Sequence, residues 1–256
     1  MSIAISMVAF SDDPNLSISD IQKYLAMKWP NLASSSDTDE KGNTISFRLG
    51  AADVIFGKMP VPIPWSDLEG PCSTSVLWPN ATDVLKQHKN HVIVTVRGEL
   101  SPMALSKLLT QATASVMATS PSALGVYWYN ATLVISKDLF IDFAVEILPQ
   151  GTPLHIWVDL RVGTDSNNST SGFTTGMVAL GHMDFEAKNI PELPSELRER
   201  FLALAHYVVE NGPVIKDGDT VGEDANEQIR VVYSKSEFGH HGKVMRLVYE
   251  QESTKP

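Results

Sequence analysis

A single cysteine, Cys72, stands in a chain of 256 residues. One thiol rules out an intrachain disulfide and a thiolate metal cluster. Such sparing use of cysteine fits the reducing cytoplasm, which is the expected location. No apolar run approaches the ~20 residues that a bilayer-spanning helix needs. The stretch Met1–Phe10 has no basic residue ahead of its apolar part and meets Asp12-Asp13 at once. It reads as a first strand rather than a secretion signal. Basic residues are also few: 20 Lys and Arg against 30 Asp and Glu leave a formal charge of −10. That sign argues against a nucleic-acid surface, which needs cations to displace counterions from phosphates, and against an anionic membrane surface. The common catalytic signatures are missing too. There is no Gly-x-Ser-x-Gly, no Walker lysine loop and no His-Glu-x-x-His. The expectation is therefore no cofactor and no bound metal.

What the chain does have is regular patterning, with 43% hydrophobic residues, enough for one large core or two small ones. Ile3–Phe10 reads as a strand. Ser19 and Gln22 make a capping box for a helix that Trp29-Pro30 ends. Residues 31–43 read as a polar loop. Thr44–Leu49 and Ala52–Met59 read as a hairpin, a short helix spans Asp83–His88, and His91–Val96 is a strand. That β-α-β-β-α-β order predicts a ferredoxin-like half. Helices follow from Ser101-Pro102 and from Ser136. Pro149–Pro153 reads as a boundary, which gives halves 1–150 and 151–256, either abutting or continuous. In the second half, Leu154–Val162 and Phe173–Leu180 predict a long hairpin. Val214–Val221, Ile229–Ser234 and Val244–Tyr249 predict further strands. Ser195–Glu210 predicts the dominant helix, with Leu197, Phe201, Leu204, Ala205 and Val208 as its buried stripe. The predicted class is α+β: a ferredoxin-like βαββαβ half with added helices, packed against a β-rich half carrying one long helix.

One cassette dominates the second half: Thr174-Thr175-Gly176, Ala179-Leu180-Gly181, Phe185-Glu186, Tyr207 and Asp217-Gly218-Asp219. It resembles a bacterial family known as domain of unknown function 4261. Weaker echoes lie at Pro62–Trp65, Leu77–Pro79, His88–Val94 and Leu124–Trp128. The resemblance implies no activity and no catalytic residues.

The candidate chemistry is correspondingly thin. If residues 182–187 form a strand, His182, Asp184 and Glu186 share one face and could ligate a divalent cation or move protons. The competing reading is the solvated face of an edge strand. Asp217 and Asp219 look superficially like a calcium loop, but Asp-Gly is first a turn signal. Thr174 and Thr175 precede a glycine that predicts a bulge or a close backbone approach. His240-His241 reads as a solvated hairpin tip, and His88 as a partner of carbonyls at a helix C-terminus. Cys72 reads as a loop residue, and a thiolate pair with His88 or His91 is its functional alternative. Trp65 ends an extended proline segment that either packs or lines a groove. The leading expectation is a non-enzymatic cytoplasmic binding protein with a basic protein partner, such as an immunity or accessory protein of a secreted toxin system. Its acidic segments Asp37–Glu40 and Glu223–Glu227 would make the contacts. The alternative is a small-molecule enzyme, metal-assisted or not, with its site between the halves and built on His182, Asp184, Glu186 and Asp217 or Asp219.

Overall fold

The computed structural model describes residues 2–32, 34–222, 227 and 229–249, and the chain divides into two compact units, Met1–Trp157 and Val158–Pro256. The first unit runs β1 (Ser2–Phe10), α1 (Ile18–Lys28), β2 (Ser34–Lys41), β3 (Thr44–Leu49), β4 (Ala52–Met59), α2 (Trp65–Thr74), α3 (Ala81–Leu85), β5 (Asn90–Gly98), α4 (Pro102–Thr119), β6 (Ala123–Trp128), β7 (Leu133–Ser136), α5 (Lys137–Asp142) and α6 (Leu154–Trp157). Its sheet has the order β2-β3-β4-β5-β1-β6-β7 with antiparallel pairing throughout. The α+β class follows directly from this arrangement.

The sheet order departs from the predicted β-α-β-β-α-β reading. Strand β5 lies between β4 and β1, and the far side of β1 is taken by β6. The crossover that carries the chain there is α4, not the short helix near Asp83. Helix α3 has only five residues, whereas α4 has 18 and buries most of its surface. Ser101 caps α4 by accepting from the Ala104 N–H, with Pro102 in the first turn, where its missing N–H costs nothing. The buried Ser6 and Thr113 hydroxyls bond at 2.7 Å and tie α4 to β1. The predicted loop at 31–43 contains β2, paired antiparallel with β3, so the acidic segment Asp37–Glu40 is strand rather than loop. Helix α1 is capped by Ser17, not Ser19.

Helices α2 and α3 close a separate apolar cluster of Ile63, Leu68, Cys72, Trp78, Leu85 and Tyr127. Two histidines clamp the proline-rich segment that leads into it. Ile63 N–H donates to His88 Nε2 at 2.7 Å, while His88 Nδ1 faces Leu85 O at the end of α3. His91 Nδ1 bonds Val61 O at 2.8 Å. The absent side chain of Gly125 makes room for Trp78. A Cβ there would stand 2.6 Å from the indole ring and 2.5 Å from Ile135 O.

The second unit runs β8 (Asp159–Thr164), β9 (Thr170–Thr175), β10 (Phe185–Ile190), α7 (Pro194–Asn211), β11 (Thr220–Val221), β12 (Ile229–Lys235) and β13 (Lys243–Tyr249). Its sheet order is β11-β12-β13-β10-β9-β8, with β10 and β13 parallel. The predicted long hairpin is real but shorter. Its first part, Leu154–Trp157, is helical, and its second arm stops at Thr175, because Gly176 takes φ 120° and starts a 3-10 turn over Met177–Leu180. Most of the predicted strand Val214–Val221 is irregular, leaving only Thr220–Val221 paired. Helix α7 buries Leu197, Phe201, Ala205 and Val208, and the Phe201 ring stacks on Phe185 at 6.4 Å. Leu204 belongs to the apolar stripe yet is only half-buried, because the stripe is wider than the sheet surface it covers.

The two positions should separate in a denaturation experiment. Phe201→Ala is expected to lower stability by about 3–5 kcal/mol through cavity formation, and Leu204→Ala by under about 2 kcal/mol. Urea midpoints of the two variants at equal m-value check this; equal losses would place Leu204 in the core.

Candidate functional site

The second unit holds a buried polar centre, and its anchor is Asp184, the residue just ahead of β10. Asp184 is 4% exposed, so its carboxylate must find partners within the protein. Its Oδ1 accepts from the Thr174 hydroxyl at 2.9 Å and from the Met177 N–H at 3.1 Å. The Thr174 hydroxyl in turn accepts from the Phe185 N–H at 2.9 Å. The Oδ2 atom of Asp184 faces His240 Nδ1 at 3.7 Å. The other His240 nitrogen, Nε2, meets the Thr175 hydroxyl at 3.5 Å. One carboxylate therefore holds the end of β9, the 3-10 turn and the β12–β13 connection together.

Glu186, two residues on, is 1% exposed and holds the same connection by a second route. Its Oε1 accepts from the Ser236 hydroxyl and its Oε2 from the Glu237 N–H at 2.9 Å. The Ser236 hydroxyl accepts from the N–H groups of Phe238 and His240. The Phe173 ring lies 5.0 Å from Phe238 and 5.1 Å, edge-on, from His240. The facing Asp184 carboxylate, with Glu186 behind it, favours the His240 imidazolium, so its pKa lies above the usual value despite burial and the opposing charge of Arg161.

The predicted triplet does not form. The strand begins at Phe185, and β10 lies between β9 and β13, so it is not an edge. Asp184 and Glu186 are buried rather than solvated. His182 closes the 3-10 turn, its N–H donating to Met177 O at 3.0 Å, and burial lowers its imidazole pKa. Among the described residues no group of three or more His, Cys, Asp and Glu is arranged to hold a metal ion. The residue that joins Asp184 is His240, so the solvated-tip reading of Phe238–Gly242 is corrected for His240; its neighbour His241 is exposed. Thr174 and Thr175 both enter the centre. Asp217 and Asp219 do not. They are exposed; Asp217 accepts from the Tyr233 N–H at 2.8 Å, which ties the turn to β12, and Asp219 accepts from the Lys216 N–H at 2.7 Å within the turn. Trp65 opens α2 and packs on the Trp78 cluster with Lys86 Nζ 5.2 Å above its ring. Cys72 sits in α2, 4% exposed, and burial pushes its thiol up to about 11, so the thiolate-pair reading falls. The acidic stretch Glu223–Asn226 lies outside the described residues.

Sequence reasoning missed a second polar cluster. Arg200 on α7 bonds Glu192 at 2.7 Å and Glu227 at 2.5 Å. Beside them, burial and the two carboxylates raise the Tyr249 phenol far above its usual value. The cluster borders a groove of about 750 Å³ between α7 and β11, floored by Ala203, Leu204, Tyr207, Val214 and Ile215. The signal that could have revealed it was the width of the α7 stripe, since Leu204 exceeds what the sheet can cover.

Residues 173–248 match the model of a family described as Domain of unknown function (DUF4261). The match lies within the second unit and holds Thr174, Thr175, Asp184, Glu186 and His240, while the first-half echoes lie outside it. Comparison with curated proteins and with solved structures gives no match.

The raised pKa of His240 has a defined sign. Stability drawn from its pairing with Asp184 is fully present below the unfolded imidazole value, near ~6.5, and is lost as pH rises through the higher folded value. His240→Gln should therefore cost most in mildly acidic solution and progressively less above the usual imidazole range. Urea denaturation of both proteins across that range checks it; a pH-independent difference would show that the pair adds no charge-dependent stability.

Proposed function

We propose that the protein works by binding a basic protein partner, and that the groove between α7 and β11 receives an apolar anchor of that partner. The observation that carries this reading is the spill of the α7 stripe beyond its core. Leu204 is half-buried and Tyr207 and Val214 are 50% and 41% exposed, so the floor of the groove leaves apolar surface in water. A cleft that leaves apolar surface in water beside charged groups can receive an apolar anchor side chain with a charged neighbour. Glu199 and Asp219 stand at its lining. Arg200 also lines it, but Glu192 and Glu227 already hold its guanidinium, so carboxylates set the sign of the local field. That sign agrees with the −10 charge of the whole chain and favours capture of cationic segments.

A cytoplasmic immunity or accessory protein that captures a basic toxin is the concrete form of this proposal. The carboxylates that looked most suited to a metal-assisted enzyme support it indirectly. Glu186 is engaged at both oxygens and Asp184 at Oδ1 by groups of the protein itself, so neither presents an open ligand set.

A displayed peptide library panned on the immobilised protein tests the reading. The enriched peptides should carry a large apolar residue flanked by Lys or Arg. Leu204→Asp and Tyr207→Ala should each weaken their binding about tenfold or more, which is roughly 1.4 kcal/mol, in protein that circular dichroism shows to be folded. Association should slow steeply between ~0.1 M and ~1 M salt, where the Debye length falls from ~10 to ~3 Å. A library that yields no enrichment, or peptides indifferent to both substitutions, overturns it.

A further inference from the structure

We propose that Thr175, His240 and Asp184 form an acyl-transfer centre that hydrolyses carboxylic esters, with Thr175 as nucleophile, His240 as general base and Asp184 as the positioning residue. The inference rests on residues that the partner-binding groove does not use, so the two proposals stand or fall separately.

The three groups stand in the order that nucleophilic catalysis requires. Thr175 Oγ1 lies 3.5 Å from His240 Nε2, and His240 Nδ1 lies 3.7 Å from Asp184 Oδ2. A nucleophile, a base within reach and a third group that orients the base define such a centre by role rather than by sequence order. Both separations are longer than a tight hydrogen bond, as is common before substrate closes a site. Asp184 cannot turn away, because its Oδ1 is fixed by Thr174 and Met177. With Nδ1–H directed at that carboxylate, Nε2 carries the lone pair toward Thr175.

The backbone around Thr175 supports the same role. Thr175 is the last residue of β9, Gly176 follows at φ 120°, and the 3-10 turn Met177–Leu180 begins at once. The chain turns away directly after Thr175, which leaves its hydroxyl at the end of the sheet. Thr175 and His240 are half-buried rather than sealed, and the half-buried rings of Phe173 and Phe238 beside His240 offer an apolar seat for an acyl chain.

The step balances without a co-reactant beyond water. Thr175 Oγ1 bonds the acyl carbon and passes its proton to His240 Nε2. The ester C–O bond breaks, and the leaving alkoxide takes that proton. Water then gives a proton to Nε2 and its oxygen to the acyl carbon, and Thr175 Oγ1 leaves and recovers the proton. An ester is the fitting substrate because its alkoxide departs more readily than an amine, and the secondary hydroxyl of threonine is a hindered nucleophile.

The groups facing His240 are Asp184, Glu186, Arg161 and the Thr175 hydroxyl, and the carboxylates outweigh the arginine. The base form is therefore populated above the ordinary imidazole range, and the rate should climb with pH through that region.

The experiment is hydrolysis of p-nitrophenyl acetate by the purified full chain, with mass spectrometry of the peptide that carries Thr175 after brief exposure. The expected result is turnover above a matched free-imidazole control, a transient acetyl group on Thr175, loss of both in Thr175→Val and His240→Ala, and retention in Thr175→Ser, with melting temperatures of the Thr175 variants unchanged. Turnover no greater than the control, or turnover that survives Thr175→Val, overturns the proposal. Should His240→Ala fail to fold, the Thr175 pair and the adduct still decide the outcome.

Discussion

Asp184 binds three segments at one carboxylate: the end of β9, the 3-10 turn after Gly176 and the connection from β12 to β13. A carboxylate that is 4% exposed would be strongly disfavoured without partners, so the fold must supply them. It does so with a hydroxyl, a backbone N–H and an imidazole. The parallel pairing of β10 with β13 passes through the same residue, since Met245 N–H donates to Asp184 O at 2.9 Å. Glu186 repeats the device on the Ser236–Glu237 backbone. Removing either carboxylate would leave several buried donors unpaired, which costs more than the bonds themselves contribute.

This internal use of charge shapes what remains at the surface. The carboxylates that could most easily have held a cation are committed to the fold. What stays open is the apolar surface that α7 cannot bury, bordered by carboxylates, and a half-buried hydroxyl at the end of β9. Both lie in the stretch that matches the family model.

Much of the element pattern was legible in the sequence. The α7 stripe, the Ser101-Pro102 start of α4 and the strands at Ile229 and Val244 all follow from period and capping. So does the role of His88, whose Nδ1 meets a carbonyl at the end of α3. The candidate site was legible only in part. Thr174, Thr175, Asp184 and Glu186 were singled out, but His182 was placed with them where His240 belongs. Alternation along 182–187 suggested a shared face, yet Gly181, at φ 92°, ends the 3-10 turn, and the strand starts only at Phe185. The strand β2 was hidden by its polar composition, which reads as loop when pairing is not known.

By itself the sequence determined the α+β class, the lack of a disulfide, the acidic charge and the apolar face of each long element. These are local or additive properties: a side chain's direction follows from the period of its own helix or strand. The tertiary structure decided strand order, which buried carboxylates are satisfied and which histidine meets Asp184. Thr175 and His240 lie 65 residues apart and touch only because β10 pairs with both β9 and β13. Such pairing depends on register between distant strands, and no spacing within either segment encodes it.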